Sequence, residues 1–240
     1  MTMQRFEVGG CVRDDIMGIA SKDVDFTVVG VTFDEMLATI EAEGFTPFKI
    51  KPEFVTVSAT VPKGHPLRAR TGAVDFVLAR KDSATGDGRR PDFVEHGTLA
   101  DDLARRDFTV NAIARDEGGN LIDPHGGIED IRRGILRFVG NPADRIAEDG
   151  LRVMRAFRFK MTKGFNFSTT TDVALRSPLA AEMLHKVSVD RIRDEVNKML
   201  AVDALGALDM LRNERVVTPE VFAAIFRDGL RLDIKATTAK

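Results

Sequence analysis

The stretch Val8-Gly9-Gly10-Cys11-Val12-Arg13-Asp14, followed by Lys22-Asp23-Val24-Asp25-Phe26, decides the reading of this chain. Residues i and i+2 of an extended strand point to one face. Asp23 and Asp25 therefore bring two carboxylates to one side of a strand that runs on into Phe26-Thr27-Val28-Val29. Like charges this close repel and cannot be core packing. An all-oxygen pair suits a divalent cation, and Mg²⁺ in particular is held by one or two carboxylates together with substrate phosphates. Gly9-Gly10 lies just upstream, between an apolar residue and a helix expected over Cys11 to Met17, where main-chain N–H groups receive phosphate. A Gly-Gly turn or an Asp-x-Asp pair alone says little. Together at this spacing they point to a triphosphate cradle beside a metal clamp, with Arg13 one turn inside the helix and in reach of a phosphate oxygen.

The 240 residues suffice for one large domain or a domain with a helical appendage. With 43% hydrophobic and 30% charged residues the composition is that of a soluble globular protein. No apolar run approaches the roughly 20 residues of a membrane span, and no basic-then-apolar leader opens the chain. The expectation is a cytoplasmic protein with no membrane partner. The single cysteine, Cys11, excludes an internal disulfide and fits a reducing compartment. Beside a glycine pair it reads as a small packing residue rather than a nucleophile. A net charge of −2 argues against a uniformly basic nucleic-acid surface but not against a local basic cleft. Without Trp or Tyr, any base stacking falls to Phe or Arg.

Strands are expected at 4–9 and 23–30, and helices at 11–18 and 33–43. In the second helix Phe33, Met36, Leu37 and Ile40 share one side, and Gly44 ends it. Two β-rich runs follow at 54–61 and 73–78, separated by a turn or short excursion over 62–72. Residues 81–98 read as a long polar loop, a length usually functional or disordered. From Leu99 the chain is mainly helical, with a short extended element near 120–123 and helical patterns at 148–160, 171–185, 188–200 and 203–213; a polar tail covers 235–240. Strands first and helices later suggest an α+β head followed by a helical neck.

Three further constellations carry chemistry. Asp75, inside the apolar strand Val74-Asp75-Phe76-Val77-Leu78, is costly unless it pairs or binds a cation. It reads either as an ion pair with Arg80 or another arginine, or as a third metal-site carboxylate acting as general base on an attacking hydroxyl. Arg105-Arg106-Asp107-Phe108-Thr109-Val110-Asn111-Ala112 is either a capped, solvated helix or a sugar and phosphate contact. In the second reading Arg106 supplies a bidentate fork and Asn111 an amide. In Glu148-Asp149-Gly150-Leu151-Arg152-Val153-Met154-Arg155-Ala156-Phe157-Arg158-Phe159, one polar residue recurs every three positions. On a helix these track slowly round one side. A surface salt-bridge ladder is the bland reading; the apolar residues between favour a charged stripe lining a cleft, with Asp149 and Arg152 presenting acceptor and donor edges to a base.

In this order the motifs resemble those of the class II tRNA nucleotidyltransferase (CCA-adding enzyme) and bacterial poly(A) polymerase family, within the polymerase-β nucleotidyltransferase superfamily. The resemblance covers about residues 4–200. It includes Asp123-Pro124-His125-Gly126-Gly127-Ile128-Glu129-Asp130-Ile131, similar to the stretch joining head to neck, and Val187-Ser188-Val189-Asp190-Arg191-Ile192-Arg193-Asp194-Glu195, similar to the following neck helix. It implies an α+β fold with a small mixed or antiparallel sheet. The catalytic head would span 1–140, an all-helical, base-recognising neck 141–200 and a truncated helical body 201–240. It also implies that Asp23 and Asp25 hold Mg²⁺ and that Asp75 completes the catalytic set. Gly9, Gly10, Arg13, Arg106, Asn111, Arg155 and Arg158 would bind triphosphate and ribose. Asp149 and Arg152 would read the Watson–Crick edge of CTP or ATP, and loop 81–98 would help reorient the site between C and A addition.

The implied reaction is attack of a tRNA 3′-hydroxyl on the nucleotide α-phosphate, releasing pyrophosphate, to build CCA without a template. A poly(A) polymerase, or an enzyme adding only CC or only A, is the alternative. An RNA-binding module without catalysis would have a broken carboxylate set, whereas Asp23, Asp25 and Asp75 are all present. A small-molecule nucleotidyltransferase would not need the arginine-rich helix. Family members usually carry body and tail domains that grip tRNA. Here the grip is expected from a homodimer, a partner, the acceptor stem alone or a compact body.

Overall fold

The computed structural model describes residues 2–21, 23–83 and 93–226. Strand β1 (Gln4–Val8) leads through Gly9 into helix α1 (Gly10–Ile16), and β2 (Val24–Val29) follows. Helix α2 (Phe33–Ala42) begins at a reciprocal cap, in which the Thr32 hydroxyl accepts from the Glu35 N–H and the Glu35 carboxylate accepts from the Thr32 N–H. It ends at Gly44, whose φ of 88° continues the chain where a Cβ would be strained. Next come β3 (Thr46–Lys51), β4 (Thr56–Thr60), β5 (Ala73–Leu78), β6 (Arg80–Ser83) and β7 (Phe93–His96). Helix α3 (Leu99–Ala104), strands β8 (Ala114–Arg115) and β9 (Leu121–Ile122), helix α4 (Gly127–Arg133) and β10 (Ile135–Leu136) complete the first half. The second half contains α5 (Pro142–Glu148), α6 (Leu151–Lys163), the two-residue strand β11 (Asn166–Phe167), α7 (Thr169–Leu175), α8 (Pro178–His185), α9 (Val189–Leu200), α10 (Ala204–Asn213) and α11 (Thr218–Phe226).

Seven strands form one mixed sheet in the order β3-β4-β5-β2-β1-β8-β9, with β2 and β5 parallel and the other pairs antiparallel. Alternation decides its faces. Val24, Phe26 and Val28 of β2, and Val74, Phe76 and Leu78 of β5, pack with Met36 and Ile40 of α2. The Phe26 and Phe76 rings stack there at 5.4 Å. The opposite face carries Asp25 and Thr27, and around β1 it is covered by Leu103, Ala112, Ala114 and Val139 against Val8. A separate core fills the helical half and takes in Phe108, Val110, Leu136 and Phe138 from the first half, so the two halves share packed surface. Among the described residues no helix is long and apolar enough to cross a membrane.

Several boundaries differ from the sequence expectation. The segment 81–98 is not wholly a loop: β6 and β7 pair antiparallel as a hairpin, because the polar run hides two short strands with no apolar alternation to mark them. Its centre, 84–92, and the polar tail 235–240 lie outside the described residues. The expected helix 171–185 is two helices, since Ser177 caps a new start at Pro178, whose ring cannot continue α7. The expected helix 148–160 breaks at Asp149-Gly150, where α5 ends and α6 begins. A Cβ on Gly150 would stand 2.1 Å from the Met183 main-chain oxygen, so the break is where the chain crosses α8 closely enough to require glycine. Strand β3 was not legible: it is an edge strand with a bulge between Pro47 and Lys49 and an irregular pattern. The run from Phe54 starts its strand only at Thr56, because Phe54 ends a short 3₁₀ turn and Val55 adopts the left-handed conformation (φ 47°).

Candidate active site

The turn from β1 to α1 brings the main chain against an arginine. Gly9 has φ 76°, and a Cβ there would lie 2.9 Å from Arg106 Nη1, so only glycine allows this approach. Arg106 is held from behind. Its Nη2 donates to Asp102 Oδ2 at 2.8 Å, and the same oxygen accepts from the Thr27 hydroxyl at 2.8 Å. Asp102 is fully buried, which alone would raise its pKa; the Arg106 and Arg105 guanidiniums and the Arg106 and Thr27 hydrogen bonds outweigh burial and hold it at about 2. One face of β2 thus carries Asp25 and, two residues on, Thr27 as an anchor for Arg106.

Asp25 lies opposite Val8 on β1 and opposite Asp75 on β5. Burial pushes its pKa up, and the charges of Asp75 and Asp23 push the same way against the pull of Arg106. An anion this crowded, in an all-oxygen donor set, fits a hard divalent cation, which would relieve the repulsion. Asp23 is exposed just before β2. Among the described residues no three acidic, imidazole or thiol groups converge on a single cation position. Asp75 is the direct cross-strand neighbour of Asp25, and its charge adds to the upward push on the Asp25 pKa.

Helix α6 supplies the facing wall. Arg155 donates through Nε (2.8 Å) and Nη2 (2.6 Å) to Asp107 Oδ2. Asp107 Oδ1 accepts from Asn111 Nδ2 at 2.9 Å and from the Phe108 N–H at 2.8 Å. Burial would raise Asp107; the Arg155 charge and these hydrogen bonds hold it at about 2. Asn111 in turn accepts from Arg13, which is only 6% exposed and bound on its other side to Asp14. Arg158 pairs with Glu195 of α9. The Phe159 ring gathers the guanidiniums of Arg158, Arg13 and Arg155 at 4.1, 5.0 and 5.7 Å from its centroid.

Asp149 is not on the helix with the arginines, as the spacing suggests. It is the extended residue closing α5 (φ −154°, ψ 107°), and its carboxylate accepts from the Leu151 N–H at 3.0 Å. Arg191 of α9 grips it through both terminal nitrogens. Arg152 donates to Glu148, to the Arg145 carbonyl at 2.8 Å and to the Arg105 carbonyl at 2.7 Å.

Ten of the residues singled out in the sequence line one cavity of about 470 Å³: Gly9, Gly10, Arg13, Asp25, Arg106, Asn111, Asp149, Arg152, Arg155 and Arg158. Asp23 and Asp75 do not line it. Asp107, Leu151, Phe159 and Arg191 do, and were not singled out. For Asp107 the adjacent arginine pair was a usable signal. Arg191 meets Asp149 across 42 positions, and no local pattern announces such a contact. Six arginines against three aspartates leave the lining strongly cationic, as a triphosphate requires. The acids Asp14, Asp102, Glu148 and Glu195 lie behind the arginines and orient them.

Comparison with known proteins places this geometry. A family model described as the poly A polymerase head domain matches residues 5–137. The chain is 40% identical over 197 residues to the multifunctional CCA protein of Nitrosospira multiformis, covering 80% of this chain and 42% of that protein. It is 36% identical over 200 residues to the CCA-adding enzyme of Ligilactobacillus salivarius, covering 82% and 45%. In structure it is similar to the Bacillus stearothermophilus CCA-adding enzyme in complex with CTP, with a TM-score of 0.72 and 35% identity over 87% of this chain and 47% of that one. A tRNA nucleotidyltransferase complexed with a primer tRNA and an incoming ATP analog is also similar, with a TM-score of 0.72 and 28% identity over 93% and 59%. The chain spans less than half the length of these two sequence relatives.

Proposed function

The chain belongs to the poly A polymerase head-domain family, and from that premise we propose that it adds C and A nucleotides to tRNA 3′ ends from CTP and ATP. The observation that carries the proposal is the single cavity that Asp25 lines together with Arg13 of α1, Arg106 just past α3, the arginines of α6, and Asp149. Arg13, Arg106, Arg155 and Arg158 would take the triphosphate, each already oriented by an acidic partner or amide. Such preorganised donors stabilise charge without reorganising during reaction. Asp149 offers carboxylate acceptors and Arg152 guanidinium donors to the polar edge of a cytosine or adenine base, so selection needs no nucleic-acid template.

Asp23 and Asp25 would hold Mg²⁺, which would supply Lewis-acid stabilisation of charge on the reacting phosphate. The 3′-oxygen of the RNA forms a bond to the α-phosphorus as the bond to the pyrophosphate oxygen breaks. Asp75, the register partner of Asp25 on the neighbouring strand, would accept the hydroxyl proton. The cavity's cationic wall keeps the departing pyrophosphate neutralised.

The test is incorporation of labelled CTP and ATP, separately and together, with Mg²⁺, on tRNA transcripts ending before CCA, after C and after CC. Ordered C, C, A addition that then stops is the expected result. Unlimited A addition without use of CTP would replace it with a poly(A) polymerase. Incorporation retained in Asp25→Ala would overturn the site assignment.

A further inference from the structure

The catalytic face of the sheet has two unlike halves. One register row crosses it as Val8, Asp25, Asp75, Ser58 and Lys49, and the next parallel row as Phe6, Thr27, Val77, Thr56 and Lys51. Around β1 this face is sealed by apolar packing, with Phe6 and Val8 against Leu103, Ala112 and Ala114. On β5, β4 and β3 none of the row residues, Asp75, Val77, Ser58, Thr56, Lys49 or Lys51, belongs to a hydrophobic cluster among the described residues. That half is a floor that is polar at every row position but Val77, with Ser58 itself buried. It begins at Asp75 and ends at two lysines on the edge strand of the sheet.

The arginine cavity lies on the sealed side of Asp25. Gly9, Gly10 and Arg106 line it with Asp25, while no residue of β5, β4 or β3 does. In-line displacement at phosphorus puts the attacking and leaving oxygens on opposite sides. With the triphosphate over the β1 side, the attacking hydroxyl must come from the β5 side, across the polar floor. Strands lie about 4.8 Å apart, so three strand steps put Lys49 about 14 Å from Asp25 along the row. That is within reach of backbone phosphates just upstream of a 3′ end. Lys49 is exposed, and Lys51 lies two residues along on the same face.

We infer that the β5-β4-β3 floor seats the terminal nucleotides of the RNA being extended, and that Lys49 and Lys51 hold its backbone phosphates. The inference rests on the RNA-extension reading above and identifies the path of the attacking strand. The contacts are to phosphate, so they position the strand without reading its sequence. Nucleotide binding, on the other side of Asp25, is independent of them.

The experiment uses the full chain with Lys49→Ala, Lys51→Ala, the double alanine variant and the Lys49→Arg/Lys51→Arg control, with thermal melting to verify the fold. A fluorescein-labelled tRNA transcript lacking CCA is titrated by anisotropy at several salt concentrations without nucleotide, and KM for transcript and for CTP is measured separately. The double alanine variant should bind RNA about tenfold more weakly, with the salt slope reduced by roughly one to two. Its transcript KM should rise, its CTP KM should hold, and the arginine pair should restore binding. Unchanged RNA affinity and salt slope, or a CTP KM rising in step, would overturn the inference, as would a wild-type chain that does not bind RNA. The binding arm needs no turnover. If the wild type binds RNA but does not extend it, and the double variant binds more weakly, the floor stands and the transfer reading falls. If the wild type extends RNA and the variants match it, only the floor falls.

Discussion

Asp149 and Arg191, 42 positions apart, form a two-pronged ion pair in the cavity wall, Nη1 to Oδ1 at 3.2 Å and Nη2 to Oδ2 at 2.8 Å. The fork fixes the plane of the carboxylate that would face the base. Both side chains remain about one-third exposed, so solvent screens the pair and its worth to stability is small, under about 1 kcal/mol. Its effect should appear in base selection instead. Arg191→Ala is expected to leave the melting temperature nearly unchanged and to narrow the discrimination between CTP and ATP on a transcript ending before CCA. Equal loss for every nucleotide would place Arg191 in phosphate binding.

Acid should loosen the first half through Asp102 and the interface between the halves through Asp107. Both have folded pKa values depressed to about 2 from 3.8. A depressed carboxylate contributes stability that is present above its unfolded pKa and is lost as pH falls through the folded one, here between about pH 4 and pH 2. Each is worth about 2 kcal/mol. Urea unfolding from pH 6 to pH 2.5 should show this slope, and Asp107→Asn should reduce it. A variant slope equal to the wild type would exclude Asp107 as a source.

Two glycines should respond differently to alanine. At Gly9 the added Cβ meets the end of the Arg106 side chain, at 2.9 Å and positive φ. Expected are about 1–2 kcal/mol of strain and a displaced Arg106, read as a raised nucleotide KM. At Gly150 the Cβ meets main-chain oxygen at 2.1 Å, which cannot turn aside. Gly150→Ala should separate α6 from α8 and cost more than 3 kcal/mol by denaturant midpoint, as severe backbone conflicts do. A wild-type melting curve for Gly150→Ala would refute the close crossing.

Val55 is the only non-glycine residue with positive φ among the described residues, and β-branched side chains are strained there. Val55→Gly trades a half-buried side chain for relief of about 1–2 kcal/mol, so a small net gain in stability is expected. The variant's melting temperature checks it; a fall would mean that the Val55 side chain contributes more packing than its backbone costs.

What was legible in the sequence was local. Gly9-Gly10 before a helix, Asp25 on a strand, the capped helix ending at Gly44 and the arginines three apart each follow from chain geometry within a few residues. Boundaries failed where a distant contact overrode the local pattern. The 148–160 periodicity runs unbroken through Gly150, yet the helix stops there because α8 passes too close for a Cβ. Edge strand β3 has no buried face along most of its length, so it lacks the alternation that would mark it.

The sequence by itself determined which groups this protein can bring to chemistry: the carboxylates, the arginine fork and the glycine turn. Only the tertiary structure decided their assignments. It turned Asp149 off its helix and gave it Arg191, paired Asp102 with Arg106 and Asp107 with Arg155, and placed Asp75 beside Asp25 on the neighbouring strand. The reason is physical. A residue's type and period depend on its neighbours in the chain, whereas the partner of a buried charge depends on which distant element folding packs against it.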